Sequence, residues 1–141
     1  MNVKLTLFSI EEANRLVSEL TPEMKRLMLA KRELDRLERR IAALTLAVSG
    51  ADAENPDARD LRQLTERRTL LTRQLATGVQ GIHQRGCLLK DLDRGLLDFY
   101  AVSGDRLIFL CWQMGETEIA HWHPLEGGYA NRQPLNRGDL D

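Results

Sequence analysis

Residues 86–135 read GCLLKDLDRGLLDFYAVSGDRLIFLCWQMGETEIAHWHPLEGGYANRQPL, and this last third of the 141-residue chain holds both tryptophans, both cysteines, both tyrosines and two of the three histidines. Its apolar residues do not keep a helical period. Residues 96–102, 106–113 and 117–123 alternate or run continuously apolar, which predicts three strands. Ser103-Gly104-Asp105 and Met114-Gly115-Glu116 separate them, short glycine turns of the kind that join antiparallel neighbours. The middle strand contains LIFLCW, apolar on both faces, so it belongs at the sheet centre with cover on each side.

Upstream the period changes to that of helices. From Leu20 the apolar residues fall on a heptad: Leu20, Leu27, Leu34, Ile41 and Val48 at one position, with Ala30, Leu37 and Leu44 at its partner, a coiled-coil seam. Ser9 through Glu12 form a capping box that starts this helix. Thr21-Pro22 is a second start signal, where the helix should restart or kink. Asn55-Pro56-Asp57 opens the next helix, whose seam of Leu61, Leu64, Leu71, Leu75 and Ile82 is interrupted by Arg68 and Gly78 and stopped by Gly86. Two helices of about thirty residues joined by a short turn run antiparallel, each roughly 45 Å long. At the amino terminus Val3, Leu5 and Leu7 alternate with polar residues and predict a short strand.

Composition bounds the function. With 43% apolar and 29% charged residues the chain is that of a soluble globular protein. No apolar run approaches the roughly 20 residues of a membrane span. MNVKLTLFSIEEAN lacks the apolar core of a signal peptide, so a cytoplasmic location is expected. Residues 1–86 carry 15 Lys/Arg against 12 Asp/Glu, and residues 87–141 carry 5 against 9. That balance, and the lack of aromatics among Arg36, Arg39, Arg67 and Arg68, argue against nucleic acid as a partner. Cys87 and Cys111 lack the CxxC spacing of a zinc ribbon or redox pair and read as buried, inert thiols.

Chemistry concentrates in the strands. His121 and His123, two apart on one strand, share a face and offer two ligands to a divalent metal, with Asp98, Glu116, His83, Asp91 and Asp93 as further donors. They read first, however, as hydrogen-bonded sheet residues beside Trp122. Lys90, Asp91 and Asp93 read as a polar turn. Asp98 stands out within LLDFYA, where an unpaired carboxylate is costly to bury, so Arg132 or Lys90 should pair with it. Asp98, Glu116, His123 and Arg132 are expected in one polar pocket. Trp112 and Trp122 read as core aromatics on neighbouring strands, and Gly127 to Arg132 makes only a weak phosphate loop.

SIEEAN, the helical hairpin, LLKDLDRGLLDF, LCWQMGE, HWH and GYANRQPL together resemble the uncharacterised bacterial family called domain of unknown function 2203, over nearly the whole chain. The resemblance implies no established activity. Its recurring positions map onto Lys90, Asp91, Gly95, Asp98, Phe99, Cys111, Trp112, Gly115, Glu116, Trp122, His123, Gly128 and Arg132. It implies tyrosine or a small residue where His121 stands, which counts against a His121/His123 metal pair.

The sequence therefore reads as one α+β domain: a short strand at 1–8, a long antiparallel helical hairpin at 9–86, an antiparallel meander and loop at 87–135 packed with it, and a disordered tail at 136–141. A long seam and an incomplete catalytic set point to a non-enzymatic interaction or regulatory module. The competing reading is a small metal-binding protein or metal-dependent enzyme using Asp98, Glu116 and His123. A homodimer or larger homo-oligomer is expected, because LIFLCW needs cover on the sheet face that the helices leave open.

Overall fold

A computed structural model of the chain describes residues 5–50 and 52–136. Two helices and a five-stranded antiparallel sheet pack together. Helix α1 spans Ile10–Ala47. The Ser9 hydroxyl accepts from the Glu12 amide and the Glu12 carboxylate accepts from the Ser9 amide, each at 3.1 Å, which closes the capping box. Pro22 neither breaks nor restarts the helix, which runs through it. The adjacent Thr21 hydroxyl donates to the Val17 carbonyl, one turn back, at 2.7 Å.

Helix α2 spans Pro56–Gln84, capped by Asn55, whose side chain accepts from the Asp57 amide at 2.8 Å. The helices run antiparallel, since Glu19 pairs with Arg85, Glu33 with Arg67 and Glu38 with Arg68. Leu20, Leu27 and Ile41 of the heptad are buried, as are Leu71, Leu75 and Ile82 of α2. Gly78 is more than an interruption of the α2 seam. A Cβ there would lie 2.4 Å from Leu27 Cδ2, so glycine permits the close helix approach. Gly86 ends α2 at φ +98°, a conformation other residues rarely adopt.

The strands are β1 Leu88–Asp91, β2 Leu96–Ser103, β3 Arg106–Gln113, β4 His121–Pro124 and β5 Gln133–Pro134, paired in chain order. The β2 and β3 expectations hold, with β2 one residue longer. Strand β1 replaces the expected polar turn at Lys90-Asp91, and a bulge there breaks its register on β2. Strand β4 begins at His121 instead of residue 117, because the preceding segment docks on α1: the buried Ile119 donates its amide to the Asn14 side chain at 2.7 Å. The short β5 forms on β4 where the sequence predicts only loop. The expected amino-terminal strand is not formed by residues 5–9, although the Phe8 amide donates to the Tyr100 carbonyl at 2.8 Å. Val3 and residues 137–141 lie outside the described residues.

Alternation divides the sheet into two faces. Leu97, Phe99, Ala101, Ile108, Leu110 and Trp112 join the core with Leu16, Leu20, Met24, Leu27, Leu75 and Ile82. The opposite face carries Leu96, Asp98, Phe109, Cys111 and His123, all buried within this one chain. The loop after β4, with Leu125, Gly128 and Tyr129, and Lys90 from β1 border this face. The expected second layer or second subunit is therefore not needed to bury it. Among the described residues no helix is long and apolar enough to cross a membrane.

Candidate metal centre

The centre follows from register. The two-residue turn at Gly104-Asp105 pairs Ser103 with Arg106, and counting back from it sets Asp98 opposite Cys111. The β3–β4 pairing then sets Cys111 opposite His121 and Phe109 opposite His123. These residues point to the face away from the helices. On it Asp98, Cys111 and His123 converge, with one potential ligand atom from each lying within 4.8 Å of the others.

His123 is held in a defined orientation. Its Nδ1 lies 2.7 Å from the Pro124 carbonyl oxygen, which can only accept, so Nδ1 carries a proton. Its Nε2 then faces Asp98 Oδ2 at 3.0 Å. Both side chains are buried, with relative exposures of 3% and 4%. One proton is required between them: either an imidazolium faces a carboxylate, or a neutral imidazole accepts from a carboxylic acid. Burial pushes the Asp98 carboxyl above its ordinary range, opposed by the His123 charge and by hydrogen bonds from Cys111 and His123. Burial, then the Asp98 charge, pushes the Cys111 thiol up to about 12, so it stays protonated at neutral pH in the metal-free protein. This is not a nucleophile activated by a histidine, because both ring nitrogens are committed to Asp98 and Pro124.

The expected pocket divides into two adjoining groups. Arg132 does not pair with Asp98. Its Nη2 donates to Glu116 Oε1 and Oε2 at 2.9 and 2.8 Å, and to His121 Nδ1 at 3.0 Å. Because guanidinium is always a donor, His121 Nδ1 is the unprotonated acceptor in this arrangement. Glu116 also accepts from the Gln113 amide at 2.6 Å, and its carbonyl accepts from Trp112 Nε1 at 3.0 Å. Arg132 Nε is buried without a partner among the described residues. The Arg94 and Arg132 guanidinium carbons each lie 5.1 Å from the centroid of the Tyr129 ring. His121 and Glu116 thus belong to an arginine-centred network, and neither joins the Asp98–Cys111–His123 cluster. Asp91 and Asp93 also lie outside it: Asp91 accepts from the Arg94 amide and Asp93 pairs with Lys31. His83 is exposed on α2.

Sequence reasoning sets Cys111 aside as an inert thiol, whereas Lys90, one of the two partners expected for Asp98, lines the same cavity as that carboxylate. The signal was the length of the turn at Gly104-Asp105, which fixes which residue faces Asp98. Trp112 is core, while Trp122 is partly buried with Arg106 over its ring at 5.7 Å.

The arrangement suits a borderline divalent ion. Carboxylate, thiolate and imidazole are all zinc donors, and two ligands each about 2.0–2.1 Å from a tetrahedral ion lie about 3.3 Å apart, close to the His123–Asp98 spacing. The Nδ1–H bond to a carbonyl is the support that metal-ligating histidines commonly receive. A cavity of about 100 Å³ opens beside the cluster, with Lys90, Leu96, Phe109, Leu125, Gly128 and Tyr129 completing its lining.

A long helical hairpin on a small sheet, with a buried acid–thiol–imidazole cluster on the sheet's far face, is the class of molecule these features define. The chain belongs to the family described as "Uncharacterized conserved protein (DUF2203)", whose model matches residues 6–135. No curated protein and no solved structure matches it.

Proposed function

We propose that this protein binds one divalent transition-metal ion, zinc or a zinc-like ion, through Asp98, Cys111 and His123. The convergence of the three donor atoms, with the His123 tautomer fixed by Pro124, carries this reading. Glu116, the third ligand expected from sequence, gives way to Cys111. Three protein ligands beside a cavity leave a coordination position open, the pattern of centres that act on a small ligand, whereas closed structural sites use four. Elemental analysis of protein purified without chelator, beside Asp98→Asn, tests it. One metal per chain, lost in the variant, is the expected result; wild-type protein that neither carries nor takes up zinc would overturn the reading.

The exposed Leu29, Leu46 and Leu70 on the hairpin, with relative exposures of 62%, 81% and 52%, support a second reading as an interaction module. On that reading the hairpin associates as a coiled coil with another helix pair, a second copy included. Light scattering at tens of micromolar tests self-association, and a monomer there removes the homodimer.

A further inference from the structure

Resting on the metal reading, we propose that the open coordination position takes a small monoanion, a short-chain carboxylate, with Lys90 as the residue that binds its charge. Lys90 borders the same cavity as Asp98, Cys111 and His123, and its Nζ sits 4.9 Å from the Phe109 ring centroid. Among the described residues lining that cavity it is the one lysine or arginine. A divalent ion bound by the Asp98 carboxylate and a Cys111 thiolate is locally neutral, so the Lys90 ammonium leaves one positive charge for the incoming ligand to balance. A dianion would leave excess negative charge in a largely buried site, which is costly. Leu96, Phe109 and Leu125 supply apolar wall, matched to a short hydrocarbon tail. A cavity of about 100 Å³ holds only a few non-hydrogen atoms beyond the metal's own ligands.

The test uses full-length protein loaded with cobalt(II), whose visible spectrum reports the fourth ligand. Cobalt content is measured first in wild type, Lys90→Met and Lys90→Arg. Each is then titrated with acetate, sulfate and neutral acetamide. Wild type should respond saturably to acetate and far more weakly to the other two. Lys90→Met should bind acetate at least about tenfold more weakly, equivalent to about 1.4 kcal/mol, at unchanged cobalt content. Lys90→Arg should restore most of the affinity. Loaded protein indifferent to acetate, sulfate binding as tight as acetate, or Lys90→Met binding acetate like wild type would overturn the carboxylate proposal and leave the metal reading standing. Wild type that takes up no cobalt would overturn both.

Discussion

His123 Nε2 and Asp98 Oδ2 are 3.0 Å apart on neighbours of a common strand, with the second histidine nitrogen donating to the Pro124 carbonyl. Substitutions at Asp98 therefore divide by what they offer Nε2. Asparagine can donate its amide there and should keep the metal-free fold. Alanine leaves a buried nitrogen unsatisfied and should cost about 1–3 kcal/mol. Urea midpoints in the presence of chelator will separate the two, and equal losses would mean that the hydrogen bond is misassigned.

Glu116 and Arg132 should behave as one unit. Their side chains are 23% and 12% exposed and joined by two hydrogen bonds to one guanidinium nitrogen. A double-mutant cycle of Glu116→Gln and Arg132→Gln, read by thermal melting, should show a coupling above about 0.5 kcal/mol. Additive losses would remove this network from the account.

Two glycines one turn apart on α2 make a matched control. A Cβ on Gly81 meets nothing within 4 Å, whereas one on Gly78 meets Leu27. Gly81→Ala should stabilise by about 0.8 kcal/mol through helix propensity. Gly78→Ala should lose that gain and destabilise by about 1 kcal/mol or more through overpacking. Equal stabilisation by both would contradict the close approach of the helices.

The capping box predicts a pH dependence. The Ser9 amide, then its hydroxyl, hold the Glu12 carboxyl below its ordinary range. A depressed carboxyl binds its proton more weakly in the folded state, so its contribution is present above the unfolded pKa and is lost as pH falls through the folded one. Glu12→Gln should therefore lower the melting temperature at pH 7 and not at pH 2–3. Ser9→Ala should cost about 1 kcal/mol at neutral pH. A Glu12→Gln deficit that persists undiminished in acid would contradict the assignment.

The hairpin and the two long strands were legible because each element states its own period and its own ends: the heptad through Ile41, the caps at Ser9 and Asn55, the turn at Gly104-Asp105. Where elements are defined by partners far away, sequence failed. Strand β1 carries Lys90 and Asp91 at a bulged edge and so reads as a turn. The start of β4 depends on Asn14, 105 residues earlier. In the site, Asp98 announced itself as a carboxylate among apolar residues. Cys111 did not, since a buried thiol looks alike whether it packs or ligates. Arg132 could be assigned to Asp98 or to Glu116 with equal chemistry, and only the fold of the loop after β4 decides for Glu116.

Cobalt titration of the metal-free full-length protein tests the central claim most directly, because a sulfur-to-cobalt charge-transfer band reports Cys111 itself. One equivalent should saturate the band in wild type and release protons, since both the thiol and the shared Asp98–His123 proton must leave. The band should be absent in Cys111→Ser and intact in His121→Gln, whose side chain belongs to the arginine network. A wild-type protein that gives no such band, or a band that survives in Cys111→Ser, would contradict a metal centre at Asp98, Cys111 and His123.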